Sequence, residues 1–312
     1  MALVLLAFAV LAAADAQQPA AVPSAGEAPR AAVYVPERVY STGVQSFSDF
    51  EAMLAALTEV DVVLVGEQHG DPNTHALEAA ILQGLARRGV AATLSLEMFE
   101  RDVQPLVNGY LNGSLSEDEF VTGSRPWPRY ASDYRPLVET ARANGWPLIA
   151  SNVPRAYASA VAKGGLGALD TLSPAERAHV AREVDCPFDA YFERFAESMN
   201  RHPMPGAGEP SEEARRATTE RYYFAQCVKD ETMAESIARE AAREGRTRGP
   251  IVHYTGAFHS DFGAGTAERV RRRLPGRRIV ILTMRPVDDL DAVAPAGEDL
   301  KRADYLVYTI KP

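Results

Sequence analysis

Apolar residues along the chain follow two rhythms. Short, nearly unbroken runs occur at Val60 to Val65 (VDVVLV), Ala91 to Leu96 (AATLSL), Trp146 to Ser151 (WPLIAS), Pro250 to Thr255 (PIVHYT), Arg278 to Thr283 (RIVILT) and Tyr305 to Ile310 (YLVYTI). Such runs are what strands buried on both faces of a parallel sheet look like. Helical spacing takes over between them. His75 to Gly89 sets Leu77, Ile81 and Leu85 in one row and stops at a glycine, and Tyr134 to Ala143 reads as a second helix. Strands separated by helices predict an α/β fold, a mainly parallel sheet flanked by helices.

The stretch from about 156 to 246 breaks this alternation, because it is too long for one crossover and reads as a helical insertion able to cover the active edge of the sheet. Ser173-Pro174-Ala175-Glu176 starts a helix, with an N-cap serine, proline at the first helical position and glutamate three residues after the cap. Glu212 to Gly245 is a long helix or a broken pair. Between them His202-Pro203-Met204-Pro205-Gly206 must be a loop. The front of the chain differs again. Met1 to Ala14 (MALVLLAFAVLAAA) has the length of a signal-peptide core, and Ala14-Asp15-Ala16 offers small residues at cleavage spacing. We therefore expect a signal peptide over 1–16, a Pro- and Ala-rich tether over 17–33 and an α/β domain over 34–312. An uncleaved anchor is the alternative, since no basic residue precedes the apolar run. No cysteine follows that run, so the sequence does not support a lipid anchor.

Composition narrows the function classes. A net charge of −9 carries no general footprint for nucleic acid, and 46% hydrophobic residues are ample for a sizeable core. Cys186 and Cys227 are the only cysteines; they either pair in an oxidising compartment or are two buried thiols.

Candidate chemistry gathers at strand ends. Gly66-Glu67-Gln68-His69 follows the first run and Gly256-Ala257-Phe258-His259 the fourth, both GxxH. Beyond the carboxyl ends of parallel strands loops converge, so two glycines, each freeing a sharp turn, would bring two imidazoles to one edge. Glu97 leaves the second strand on the same edge. Glu67, His69, Glu97 and His259 could bind a divalent metal such as zinc or manganese. Without one, His69 could act as a general base oriented by a carboxylate. Each also has a structural alternative: a turn acceptor for Glu67, a helix cap for Glu97, and satisfied, partly buried rings for the histidines. His75 reads as a helix-start residue facing solvent or the cleft rim, and His253 as packed within the sheet. Arg101 and Arg155 offer planar forks suited to carboxylate or phosphate groups on a ligand, or else surface ion pairs. Trp127, Tyr130 and Tyr134 form an aromatic group that walls a pocket or belongs to the core. Walker, GxGxxG, GxSxG and HExxH motifs are absent from the sequence.

Read in order, GEQHGDPNTH, SLEMFERD, YRPLVETARANGWPLIASNVPR, AQCVKDETMAESIA and HYTGAFHSDFG resemble the successive blocks of ChaN-type haem-binding proteins of the Tiki superfamily, from about Val60 to Pro286. The resemblance implies an exported, periplasmic haem-binding protein linked to iron uptake, with a possible homodimer and an envelope receptor as partners. It marks Glu67, His69, Glu97 and His259 as the ancestral polar site, which Tiki metalloproteases and erythromycin esterases use for hydrolysis. A metal-dependent or histidine-assisted esterase or peptidase is thus the alternative function, and a binding scaffold with a fossil site a third. Haem iron in the family is held by a tyrosine at a dimer interface, for which Tyr191, Tyr222 and Tyr223 are the candidates here, with Arg101 and Arg155 towards the propionates. Family members are often lipoproteins, and this chain departs from them in lacking the lipidation cysteine.

Overall fold

All six apolar runs form strands. In the computed structural model, which describes residues 34–201, 211–246 and 249–312, they are β3 (Val62–Glu67), β4 (Thr93–Glu100), β5 (Leu148–Asn152), β6 (Ile251–Gly256), β7 (Ile279–Val287) and β8 (Tyr305–Ile310), preceded by β1 (Glu37–Ser41) and β2 (Ser46–Ser48). The expected signal peptide, tether and 202–206 loop lie outside the described residues. One sheet results, in the order β2-β1-β8-β7-β3-β6-β4-β5. Strands β3 to β8 pair in parallel, and β1 joins β8 and β2 antiparallel.

The central strand explains why the run was unbroken. Every residue of β3 is buried, Val63 and Val65 on one face with Leu82, Leu94 and Leu96, Val62 and Leu64 on the other with Ile237, Ile251 and Val270. Both faces of such a strand need apolar side chains, so alternation disappears. The β1–β2 hairpin went unread because ERVYS and SFS are short and largely polar. At the far border, Gln104 lies along β5, donating to the Leu148 carbonyl at 2.8 Å and accepting from the Ala150 N–H at 2.8 Å. This side-chain amide satisfies an edge that would otherwise present unpaired backbone groups.

Helices begin where their caps put them. Asp71 accepts from the N–H groups of Asn73 and Thr74 and Pro72 opens the helix Pro72–Arg87, a turn earlier than the apolar row indicated. Between β5 and β6 the helix Arg155–Gly164, a single capped turn at Pro174–Arg177, the helix Ala190–Arg201 and the long helix Glu212–Ala241 follow one another. The last is one continuous helix, not a broken pair. Residues 180–189 contain no helix; this segment is tied to the long helix by a Cys186–Cys227 disulfide, which settles the alternative between a bond and two thiols.

Candidate functional site

β3, β4 and β6 end side by side, so their last residues share one edge. Glu67 is paired with Gly256 in the ladder, and Leu96 with Tyr254. Against β5 the register of β4 slips between Leu96 and Glu100, the stretch that holds Glu97. Ser151 and Asn152 bridge the slip by donating to the carbonyls of Leu96 and Glu97, at 2.8 and 3.0 Å.

Two carboxylate–imidazole units stand on this edge. In the first, Glu67 Oε1 is bonded to His69 Nδ1 and accepts the Tyr134 hydroxyl at 2.9 Å. The His69 ring is about half exposed, 48%, with Trp127 against it edge-on. Partial burial pulls the imidazole down, but the bond to Glu67 and the field of Glu97 outweigh it and its pKa is raised. In the second, His259 lies between two buried carboxylates, Nδ1 2.7 Å from Asp230 and Nε2 3.4 Å from Glu97. Desolvation opposes its charge, yet Glu97 and Asp230 together push its pKa up to about 10. Glu97 also accepts from the Thr255 hydroxyl and the Gly256 N–H, at 2.6 and 2.8 Å; despite burial, His259, with the fields of His69 and Lys229, holds it well below the usual carboxylate range. Asp230 takes hydrogen bonds from Thr266 and Tyr191 as well.

The two units meet at Gly256. A Cβ there would sit 2.7 Å from His69 Nε2 and 3.8 Å from His259 Cδ2, so the distant GxxH histidines do share a cleft. The glycines act differently from the expectation. Neither has a positive φ. Gly66 instead leaves room for Ala257, whose Cα would be 2.9 Å from its Cβ, and Gly256 leaves room for His69. Each motif's glycine accommodates the other motif.

Several further expectations are corrected. His75 faces neither solvent nor rim: it is buried, with Nδ1 2.9 Å from Glu78 and Nε2 3.0 Å from the His69 carbonyl and 3.3 Å from Asp133. Arg101 turns away from the cleft and binds Ser236, Glu235 and the Thr232 carbonyl, fastening β4 to the long helix. Tyr191 donates to Asp230 and Tyr223 to the Pro187 carbonyl; both are buried, and burial raises both phenols. Of the four-residue metal set, His259 has both ring nitrogens facing carboxylates, Asp230 and Glu97. His253 is buried in the sheet and bonded to Ser95, as read. Tyr222 is partly exposed and Arg155 exposed.

Sequence reasoning passed over Asp230, Gln226, Glu78 and Asp133. A signal existed for two of them. Gln226 and Asp230 are one turn apart in a helix, and both reach His259, the Gln226 amide lying 3.3 Å from each ring nitrogen. Tyr222 precedes them by one more turn on the same row.

Comparison with known proteins follows this geometry. The family model described as "Haem-binding uptake, Tiki superfamily, ChaN" matches residues 53–270. A structure of ChaN of Campylobacter jejuni with cofacial haem is similar at 15% identity with a TM-score of 0.62, covering 88% of this chain and 96% of that one. Weaker likenesses include a Bacillus cereus protein, 11% identical with a TM-score of 0.46 over 83% and 91% of the two chains. The erythromycin esterase EreC in its open conformation is 14% identical at 0.45, over 88% and 83%. No curated protein sequence matches the chain.

Proposed function

Because the chain belongs to the ChaN family of haem-binding uptake proteins in the Tiki superfamily, we propose that it carries haem as the cargo of an exported iron-uptake system. Tyr222 is the observation that supports this most directly. Of the three candidate tyrosines it alone is not buried, and it stands on the helix row that continues to Gln226 and Asp230. Ferric iron accepts a phenolate as a hard axial ligand. Phe188, 54% exposed and in contact with Phe224, supplies apolar aromatic surface in the same insertion. Arg155 begins a helix packed on the long helix and offers its guanidinium to a propionate. The disulfide suits an oxidising compartment such as the periplasm, and no described helix is long and apolar enough to cross a membrane. A homodimer and an envelope receptor belong to the same reading.

Hemin titration tests it. Wild-type protein should shift the haem absorption band, and Tyr222→Phe should weaken binding at least about tenfold, the loss of about 1.4 kcal/mol or more. Tyr223→Phe should bind as wild type. An unshifted band with the wild-type chain would end the proposal.

The Glu67–His69 pair favours a second reading, a histidine-assisted hydrolase, because Glu67 fixes Nδ1 and leaves Nε2 towards the cleft beside the His259 imidazolium and Glu97. With ester or peptide substrates, His69→Ala should then lower kcat by about 10²- to 10⁴-fold. Hydrolysis that survives this change in full would remove His69 as the base.

A further inference from the structure

We propose that Glu67, His75 and Glu78 hold a divalent transition cation, Zn²⁺ or Mn²⁺, in a closed site behind the His69 cleft. The argument begins at His75. Its Nε2 lies 3.0 Å from the His69 carbonyl oxygen, which can only accept, so Nε2 carries the hydrogen. In the neutral ring the Nδ1 lone pair then faces Glu78 Oε2 at 2.9 Å and Glu67 Oε2 at 3.9 Å. The lone pair and two carboxyl groups converge there. Glu67 Oε2 and Glu78 Oε1 are buried without a hydrogen-bond partner, although the two residues are only 2% and 0% exposed.

Geometry and charge suit a cation. One ligand atom from each residue can be chosen so that all lie within 4.8 Å of one another. Ligands at about 2.1 Å around a tetrahedral ion are separated by about 3.4 Å, between the two His75 distances. Two carboxylates neutralise a divalent charge, and no Lys or Arg forms an ion pair with Glu67 or Glu78 among the described residues. Asp133, the other acid beside His75, is held by Arg129 at 2.8 Å. Tyr134 commits its hydroxyl to Glu67 Oε1 and sets its ring edge-on to His75. One imidazole nitrogen with carboxylate oxygens favours zinc or manganese over calcium or magnesium, and an imidazole N–H bound to a backbone carbonyl is the usual support of a ligating histidine. This site shares only Glu67 with the cleft and stands apart from the haem reading.

The test uses the untagged full chain, stripped with a chelator, supplied with Zn²⁺ or Mn²⁺ alone, and passed through gel filtration before metal is counted per protein. One equivalent should be retained by the wild type and by His69→Ala. Glu78→Gln and His75→Ala should retain less than a tenth, with circular dichroism unchanged. Wild-type protein should also unfold at a higher temperature with the metal than with chelator, a readout that needs no variant. Retention of neither metal overturns the proposal and leaves a shared proton between Glu67 and Glu78. Equal loss in His69→Ala also overturns it, since the ion would then belong to the cleft.

Discussion

Asp230→Ala should lower the stability of the folded chain by about 3–5 kcal/mol, seen as a large fall in the urea midpoint, because it strips one side of a buried ion pair and leaves its partner charged. That partner is His259, whose Nδ1 is 2.7 Å from Asp230, with the field of Arg269 acting on the same carboxylate. A carboxylate left alone in such a place would take up a proton. An imidazolium must instead lose one, at a pKa that Glu97 still raises. The pH dependence carries a definite sign. His259 titrates at about 10 against an ordinary 6.5, so its contribution is whole below 6.5 and is lost as pH climbs through 10. Glu97 is depressed from 4.5, so its contribution is whole above 4.5 and is lost as pH falls through its lower folded value. Stability from the pair should therefore be greatest between about 4.5 and 6.5. In Asp230→Ala the alkaline loss should be smaller and complete at lower pH. Urea midpoints measured from pH 4 to 10 check both statements; equal midpoints for the two proteins at pH 6 would refute the clamp.

Reduction of Cys186–Cys227 should cost nearly as much. The bond spans a sequence separation of 41, for which loop closure in the unfolded chain amounts to about 4 kcal/mol. Its position adds a local effect. Cys186 lies beside Tyr191, Phe192 and Tyr223, and the Tyr191 hydroxyl reaches Asp230. Loosening the 180–189 segment thus loosens the support of His259. Denaturation with and without a thiol reductant, repeated with Cys227→Ser, measures this. A midpoint insensitive to reductant would show that the crosslink adds nothing to the fold.

Much of the architecture was legible because a doubly covered parallel sheet writes itself as continuous apolar runs, and all six runs in this chain belong to it. The β1–β2 hairpin was not, since its three- and five-residue strands carry too few apolar positions to stand out. For the site, strand-end placement located Glu67, His69, Glu97 and His259 correctly as neighbours. Their roles were harder to read. His259 looks like His69 in sequence, yet Asp230 from a helix far along the chain joins Glu97 in holding both its nitrogens, while Glu67 holds only one nitrogen of His69. No local pattern around His259 reports that partner. His75 looked like a rim residue because its polar surroundings, Glu67 and Asp133, come from other segments. Arg101 misled for a related reason: its sequence neighbours are acidic, whereas its partners Ser236 and Glu235 sit on the long helix.

The mutual fit of the two glycine motifs bears on any attempt to move this edge elsewhere. Grafting residues 66–69 alone into another parallel sheet would import a histidine whose resting place is the bare Cα of a neighbouring strand's last residue. A recipient with even a methyl group there would eject the ring. Transplants must carry both segments, and directed-evolution libraries should vary them jointly.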